Sequence, residues 1–179
     1  MLKILLLLDF VILSLAGKTA NLDSEQVAEK CCGAKAAECC KKAIDFHNPI
    51  KCRELSLNQH VDAMLCVQRE IHGVEDLKKL SVNDFNCCEI FAENDNDEEN
   101  VCQHRCLRAL QSPSLPASWK LDRINRCRMN LGDLPACFNR CLKWTHGPNF
   151  RILEKFNFSA HCNWEDRLKQ GKIYIGPPV

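Results

Sequence analysis

The sequence predicts a mainly α-helical fold: an array of helical hairpins stapled by disulfides, with an internal duplication. Three observations carry that expectation. The interval Cys-x20-Cys occurs four times, as Cys31 to Cys52, Cys66 to Cys87, Cys106 to Cys127 and Cys141 to Cys162. Apolar residues recur three or four positions apart, between capping residues at one end and glycine or proline at the other, which is the helical period with its punctuation. No run alternates apolar and polar residues as a half-buried strand requires.

The elements follow in order. Residues 1–16 read as a signal peptide: Lys3, an apolar run interrupted by Asp9, then the small-residue exit Ser14-Leu15-Ala16. A membrane-spanning helix needs about 20 apolar residues, and this run is shorter and carries a charge. Asp23 or Ser24 caps a first helix in which Cys32, Ala36, Cys39, Cys40 and Ala43 recur at helical spacing up to His47-Asn48-Pro49. Ser56 with Gln59 forms a capping box for a second helix whose stripe is Leu57, Val61, Met64, Leu65 and Gln68, stopped by Gly73.

Leu77 and Leu80 begin a third helical segment, and Ser81 caps a continuation in which Phe85, Cys88 and Phe91 face one way. The acidic stretch 93–100 reads as a connector. Its likeness to a calcium loop fails because Asn100 stands where glycine is needed and Cys106 where glutamate is needed. Val101, Cys102, Cys106, Ala109 and Leu110 mark a fourth helix ended by Pro113 and Pro116; Ser118 caps a fifth with Leu121, Ile124 and Cys127. After Gly132, Asp133 caps a sixth with Pro135 in its first turn, carrying Cys137, Cys141 and Trp144 to His146-Gly147-Pro148. The expected organisation is a first cysteine-rich half over 17–92, the connector, a second half over 101–169 and an extended tail over 170–179.

The second half repeats within itself. Cys102, Cys106 and Cys127 recur 35 residues later as Cys137, Cys141 and Cys162, together with Arg105/Arg140, Leu107/Leu142, Pro113/Pro148 and Lys120/Lys155. A shift of 75 residues also maps Cys31 and Cys52 onto Cys106 and Cys127, and Cys66 and Cys87 onto Cys141 and Cys162.

All 14 cysteines follow residue 16. An even count at this density behind an export signal reads as a disulfide framework. Two helices of a hairpin return to one another within roughly 20 residues, so one scheme bonds the four Cys-x20-Cys pairs. A rival uses the interval that joins Cys52 to Cys66, Cys88 to Cys102 and Cys127 to Cys141, and Cys102 with Cys137 is a further candidate pair. With on the order of 100,000 possible pairings, spacing alone leaves both open. The doublets Cys31-Cys32, Cys39-Cys40 and Cys87-Cys88 suit two partners each, because helical neighbours point about 100° apart.

Catalytic patterns are missing. None of the six histidines stands in His-Glu-x-x-His or near Gly-x-Ser-x-Gly, and no Cys-x-x-Cys or His-x3–5-His pair suggests redox or zinc chemistry. No cysteine doublet is followed by the His-Asp of a secreted phospholipase. The reading is of a non-enzyme without cofactor or metal. A formal charge of +1 from 24 basic and 23 acidic residues gives no field directed at nucleic acid, and no second apolar stretch is long enough to span a membrane.

Asn157-Phe158-Ser159 is an N-glycosylation acceptor flanked by Phe156 and Phe158. Trp119, Trp144, Trp164 and Phe150 form either a recognition patch or, by general burial tendency, core.

Phe85-x-Cys87-Cys88 followed by Cys102-x3-Cys106 resembles the DB module, a many-cysteine extracellular domain of nematode secreted and surface proteins. Cys31-Cys32, Cys39-Cys40-x2-Ala43 and Pro49-Ile50-x-Cys52 are similar to uncharacterised secreted nematode proteins. The resemblance implies an extracellular place and cysteines that are all bonded; it carries over no functional residue. The expected function is a secreted binding or structural-interaction module for an extracellular protein. The alternative is a carrier whose helices enclose a small apolar ligand among Leu57, Leu65, Leu77, Leu80 and Phe85; a protease inhibitor or enzyme has no specific support.

Overall fold

A computed structural model describes residues 23–93, 99–127, 134–147 and 156–162. The expected signal peptide, most of the acidic connector, Phe150, Trp164, Gly132, Asp133 and the expected tail lie outside the described residues.

Local sequence chemistry accounts for the ends of the first and third helices. Helix α1 (Ser24–Cys32) starts at Asp23, whose carboxylate accepts the Gln26 N–H at 2.8 Å while the Gln26 side chain accepts the Asp23 N–H at 3.2 Å. The expected single helix through Ala43 is broken at Gly33, where φ is 73°, a left-handed geometry that glycine alone adopts at little cost. Helix α2 (Ala37–Asp45) begins afresh. Gly33→Ala meets no neighbouring atom within 4 Å, so backbone strain alone should lower stability by about 1–2 kcal/mol, measurable as a fall in denaturation midpoint.

Helix α3 (Leu57–His72) carries the capping box read from Ser56 and Gln59, and Gly73 ends it. Helix α4 (Val74–Lys79) is short. The stretch Val82–Glu93 runs as successive 3₁₀ turns; Ser81 Oγ accepts the Asn83 N–H, and Asp84 accepts the Ser81 N–H at 2.8 Å. Helices α5 (Val101–Leu110), α6 (Ala117–Asn125), α7 (Leu134–Thr145) and the single turn α8 (Phe158–His161) complete the described chain. Described elements are helical throughout, as the periodicity predicts.

Two apolar cores form. The first gathers Val27, Ala36, Ile44, Ile50, Met64 and Val67 from α1, α2, α3 and their loops, with Val82 from the start of the 3₁₀ stretch. The second gathers Leu80, Ile90, Phe91, Leu110, Ile124, Leu134 and Phe138, with the Phe91 and Phe138 rings 5.7 Å apart. The 3₁₀ segment thus packs with the second core through Cys87, Cys88, Ile90 and Phe91, although the sequence placed it in the first half; the cores meet near residues 80–82.

The cysteines are all joined, but neither spacing scheme is the one formed. The bonds are Cys31–Cys66, Cys32–Cys40, Cys39–Cys52, Cys87–Cys141, Cys88–Cys106, Cys102–Cys127 and Cys137–Cys162. Cys102 and Cys137 bond within their own repeats, not to each other. In both copies of Cys-x3-Cys-x20-Cys the first cysteine bonds the third, 25 residues away. The middle cysteines, Cys106 and Cys141, are thereby left to bond the doublet Cys88 and Cys87. Each doublet staples two partners, because its two sulfurs leave the backbone in different directions. The first half has its own network, shaped by the break at Gly33, which lets Cys40 return to Cys32.

Between the cores runs a polar seam. Lys120, fully buried, donates to the Gln68 side-chain oxygen at 2.6 Å and more weakly to the Leu110 carbonyl at 3.4 Å. The Gln68 amide donates to Asp76 at 2.9 Å and to the Leu80 carbonyl at 2.8 Å. Asp76 also accepts the Ala117 N–H at 3.0 Å. The start of α6 is therefore capped by a carboxylate from α4, where Ser118 was expected to cap it.

Candidate functional site: an apolar groove between the halves

The groove lies where the first turns of α3 approach the 3₁₀ segment and α5. Ser56 begins α3 so that Leu57, His60, Val61 and Met64 are displayed in its first two turns. The loop before it, tethered by Cys39–Cys52, supplies Ile50, Lys51, Arg53 and Leu55. Val82 and Phe85 close one side, and Leu107 and Gln111 of α5 the other. The Ile50 N–H donates to the Gln111 carbonyl at 3.3 Å, pinning the loop against α5.

The volume is about 510 Å³, within the range of ordinary ligand sites. Ile50, Cys52, Met64 and Val82 form a buried floor. At the rim, Leu57 is 82% and Phe85 52% exposed. Lys51 and Arg53 are exposed and His60 half-buried, and no carboxylate lines the groove among the described residues. His60 Nδ1 faces the Ser56 carbonyl at 2.9 Å, leaving Nε2 for a partner. An apolar slot with a positive rim is what results.

This differs from the enclosed cavity expected for a carrier. Leu57 and Phe85 do meet in the groove, but Leu80 is buried in the second core, Leu65 packs on the first, and Leu77 lies apart on α4. The site is open to solvent, and its lining comes from both halves.

Clusters with chemical potential elsewhere are structural in geometry. His146 Nε2 contacts the buried Asp84 carboxylate at 2.7 Å, an arrangement that orients a catalytic base when a nucleophile is present. The neighbouring hydroxyl, Thr145 Oγ1, instead donates to Asp84 at 3.2 Å and to the Leu142 carbonyl at 3.1 Å. It is not placed for activation by the imidazole; the trio clamps α7 to the 3₁₀ segment. Cys39, Cys52 and Glu54 lie close enough to suggest a metal, but the two sulfurs are bonded to each other and have no thiolate to offer.

Asn157 is exposed, and Phe156 and Phe158 turn inward around Trp144 and His161. The flanking aromatics therefore do not cover the acceptor asparagine. Trp119, for which general burial tendency favoured core over a recognition patch, is 59% exposed: α6 turns Lys120 into the seam and Trp119 away. Sequence reasoning missed Lys51, Arg53, His60 and the seam residues Asp76 and Lys120; it placed Gln68 on the inward stripe of its helix but not its partners. The one signal available for the rim was an unbroken absence of acid in Ile50-Lys51-Cys52-Arg53.

Comparison with known proteins gives three concordant findings. The profile of the family described as Caenorhabditis elegans Her-1 matches residues 20–166. Protein her-1 of Caenorhabditis elegans is 32% identical over 162 residues, covering 86% of this chain and 90% of that protein. The crystal structure of C. elegans HER-1 superposes with a TM-score of 0.66 at 29% identity, over 77% of this chain and 96% of the solved one. None of these three findings shows the DB-module resemblance drawn from Phe85, Cys87, Cys88, Cys102 and Cys106.

Proposed function

This chain belongs to the Caenorhabditis elegans Her-1 family, and from that premise we propose that it is an extracellular, non-catalytic binding module whose apolar groove receives a partner protein. The observation that carries the reading is the pair of exposed side chains Leu57 and Phe85 standing over a buried apolar floor. Exposed large apolar groups around a preformed slot are the usual mark of an interaction site. Lys51 and Arg53 select for a partner whose apolar anchor is flanked by acidic residues, and electrostatic complementarity of this kind fixes register and speeds encounter.

Secretion is supported by the complete set of bonded cysteines, since such bonds persist in oxidising compartments. An open slot favours a protein segment over an enclosed small ligand, which would be shielded from water on most of its surface.

The test uses the paired variant Leu57→Asp/Phe85→Asp. Affinity capture from native extracellular fluid should recover a partner with the wild-type protein, and the paired variant should lose at least about tenfold of that recovery, as truncating or charging a central anchor does. Far-ultraviolet circular dichroism should remain unchanged, because both side chains are exposed. Equal recovery by the two proteins would sink the reading, and a lipid extracted in stoichiometric amount from the wild-type sample would replace it with the carrier.

A further inference from the structure

On the other side of the same loop lies a second open cleft of about 470 Å³, different in chemistry from the groove. His47 turns the chain there, with φ of 51°, and its ring bonds the Ser114 hydroxyl at 3.0 Å. Residues 47–49 form one wall of this cleft, while Ile50 onward lines the apolar groove. Helix α5 is shared in the same way: Leu107 and Gln111 face the groove, and His104, Arg105 and Arg108 face the cleft. Arg123 joins them from α6, which Cys102–Cys127 ties to α5.

Three guanidinium groups thus line one concavity. Each is exposed, and none makes an ion pair among the described residues. The contrast is sharpest at the end of α6, where Arg126 pairs with Asp122 at 2.9 Å while Arg123 has no ion pair among the described residues. Glu99 is the one carboxylate in the lining among the described residues. Arg105 and Arg108 stand three apart on one helix, where like charges repel, so helix stability does not explain their placement. The chain as a whole carries only +1, so three arginines against one carboxylate in a single lining is a local excess and not the reflection of a basic chain.

We propose that this cleft is a binding site for a sulfated polysaccharide. Guanidinium forks match the oxygens of sulfate groups through paired, charge-assisted hydrogen bonds, and Pro49, Val101 and Ala109 in the same lining offer apolar contact for the C–H faces of sugar rings. The choice of a sulfated glycan over other polyanions rests on the extracellular reading above: fully bonded cysteines suit an oxidising, extracellular setting, where such glycans are found and phosphoinositides and nucleic acids are not. Occupied together with the groove, the cleft would hold the protein on a glycan-bearing surface while the opposite side of the loop meets its partner.

The experiment measures binding of the purified full chain to a defined heparin hexasaccharide by titration calorimetry at several salt concentrations. Arg105→Gln/Arg108→Gln/Arg123→Gln should weaken binding about tenfold or more and reduce the salt slope by about two to three, because each lost contact releases roughly one counterion fewer. Lys35→Gln/Lys79→Gln/Lys143→Gln removes the same charge from exposed positions outside the cleft and should stay within about twofold, since only the weak long-range field changes. Non-reducing peptide maps of both triples verify the disulfides; if the arginine triple does not fold, Arg108→Gln alone should weaken binding by about threefold or more. Equal losses in the two triples would overturn the proposal, as would equal affinity for the desulfated hexasaccharide or tighter binding to phosphatidylserine vesicles. The Leu57/Phe85 capture test reads the groove alone, so failure here leaves that reading untouched.

Discussion

Replacing Cys87 and Cys141 together by serine should destabilise the second half by about 3 kcal/mol. The two residues are 54 apart in sequence, and a free loop of that size would lose about 4 kcal/mol in the chain-entropy account. The other bonds shorten it. In the unfolded chain a path runs from Cys87 to Cys88, across to Cys106, back to Cys102, across to Cys127 and on to Cys141, so the effective loop is roughly 20 residues. Cys32→Ser/Cys40→Ser opens a separation of only 8 and should cost less, about 2–3 kcal/mol.

Guanidinium denaturation followed by circular dichroism checks both values. The 87–141 variant should also show a larger m-value, because its unfolded state is less compact. A loss below about 1 kcal/mol with unchanged m would mean that the α7–3₁₀ contact is held by packing of Phe91 on Phe138 and by Asp84–His146, with the disulfide adding little.

The same bonds show which parts of the fold the sequence contained. Caps at Asp23, Ser56 and Gly73 were legible because capping chemistry involves residues within three or four positions of one another. The all-helical class was legible for the same reason. Pairing of cysteines was not, because equal spacing makes several partners locally equivalent and the choice is made by which helices pack. Gly33 illustrates the point: apolar spacing runs through it unbroken, and only the left-handed backbone there divides α1 from α2. Lys120 was invisible for a different reason. A lysine between Trp119 and Leu121 reads as the polar face of a helix, whereas the partner that makes its burial tolerable, Gln68, is 52 residues away. Of the groove's lining only Leu57 and Phe85 were anticipated; its positive rim comes from a loop, where no periodicity announces direction. The cleft arginines lie on two helices and meet only after α5 and α6 pack.

Lys120 offers the most direct measurement of what joins the halves. Burial disfavours its charged form and lowers the pKa from 10.5 to about 8, with the carboxylates of Asp76 and Asp84 opposing the shift. Between about pH 8 and 10.5 the unfolded chain therefore binds more protons than the folded one, and stability rises with pH through that window. Below about pH 8 the cost of burying the ammonium is present in full, on the order of 3 kcal/mol.

Gln68→Leu removes the strongest acceptor and leaves the ammonium with the Leu110 carbonyl alone, so it should destabilise by about 3 kcal/mol at pH 7. Lys120→Met keeps the volume and removes the charge, and should be within about 1 kcal/mol of wild type or better at pH 7. The double variant should recover most of the loss caused by Gln68→Leu, a non-additivity expected of partners in one network. Denaturation midpoints at pH 7, 8, 9 and 9.5 distinguish the cases, and the absence of free thiols keeps disulfide exchange from starting in that range. Wild type should gain stability across the series and Lys120→Met should lack that gain. A flat wild-type profile would place the ammonium in a solvated environment, and the seam would then be a set of ordinary hydrogen bonds with no buried charge at its centre.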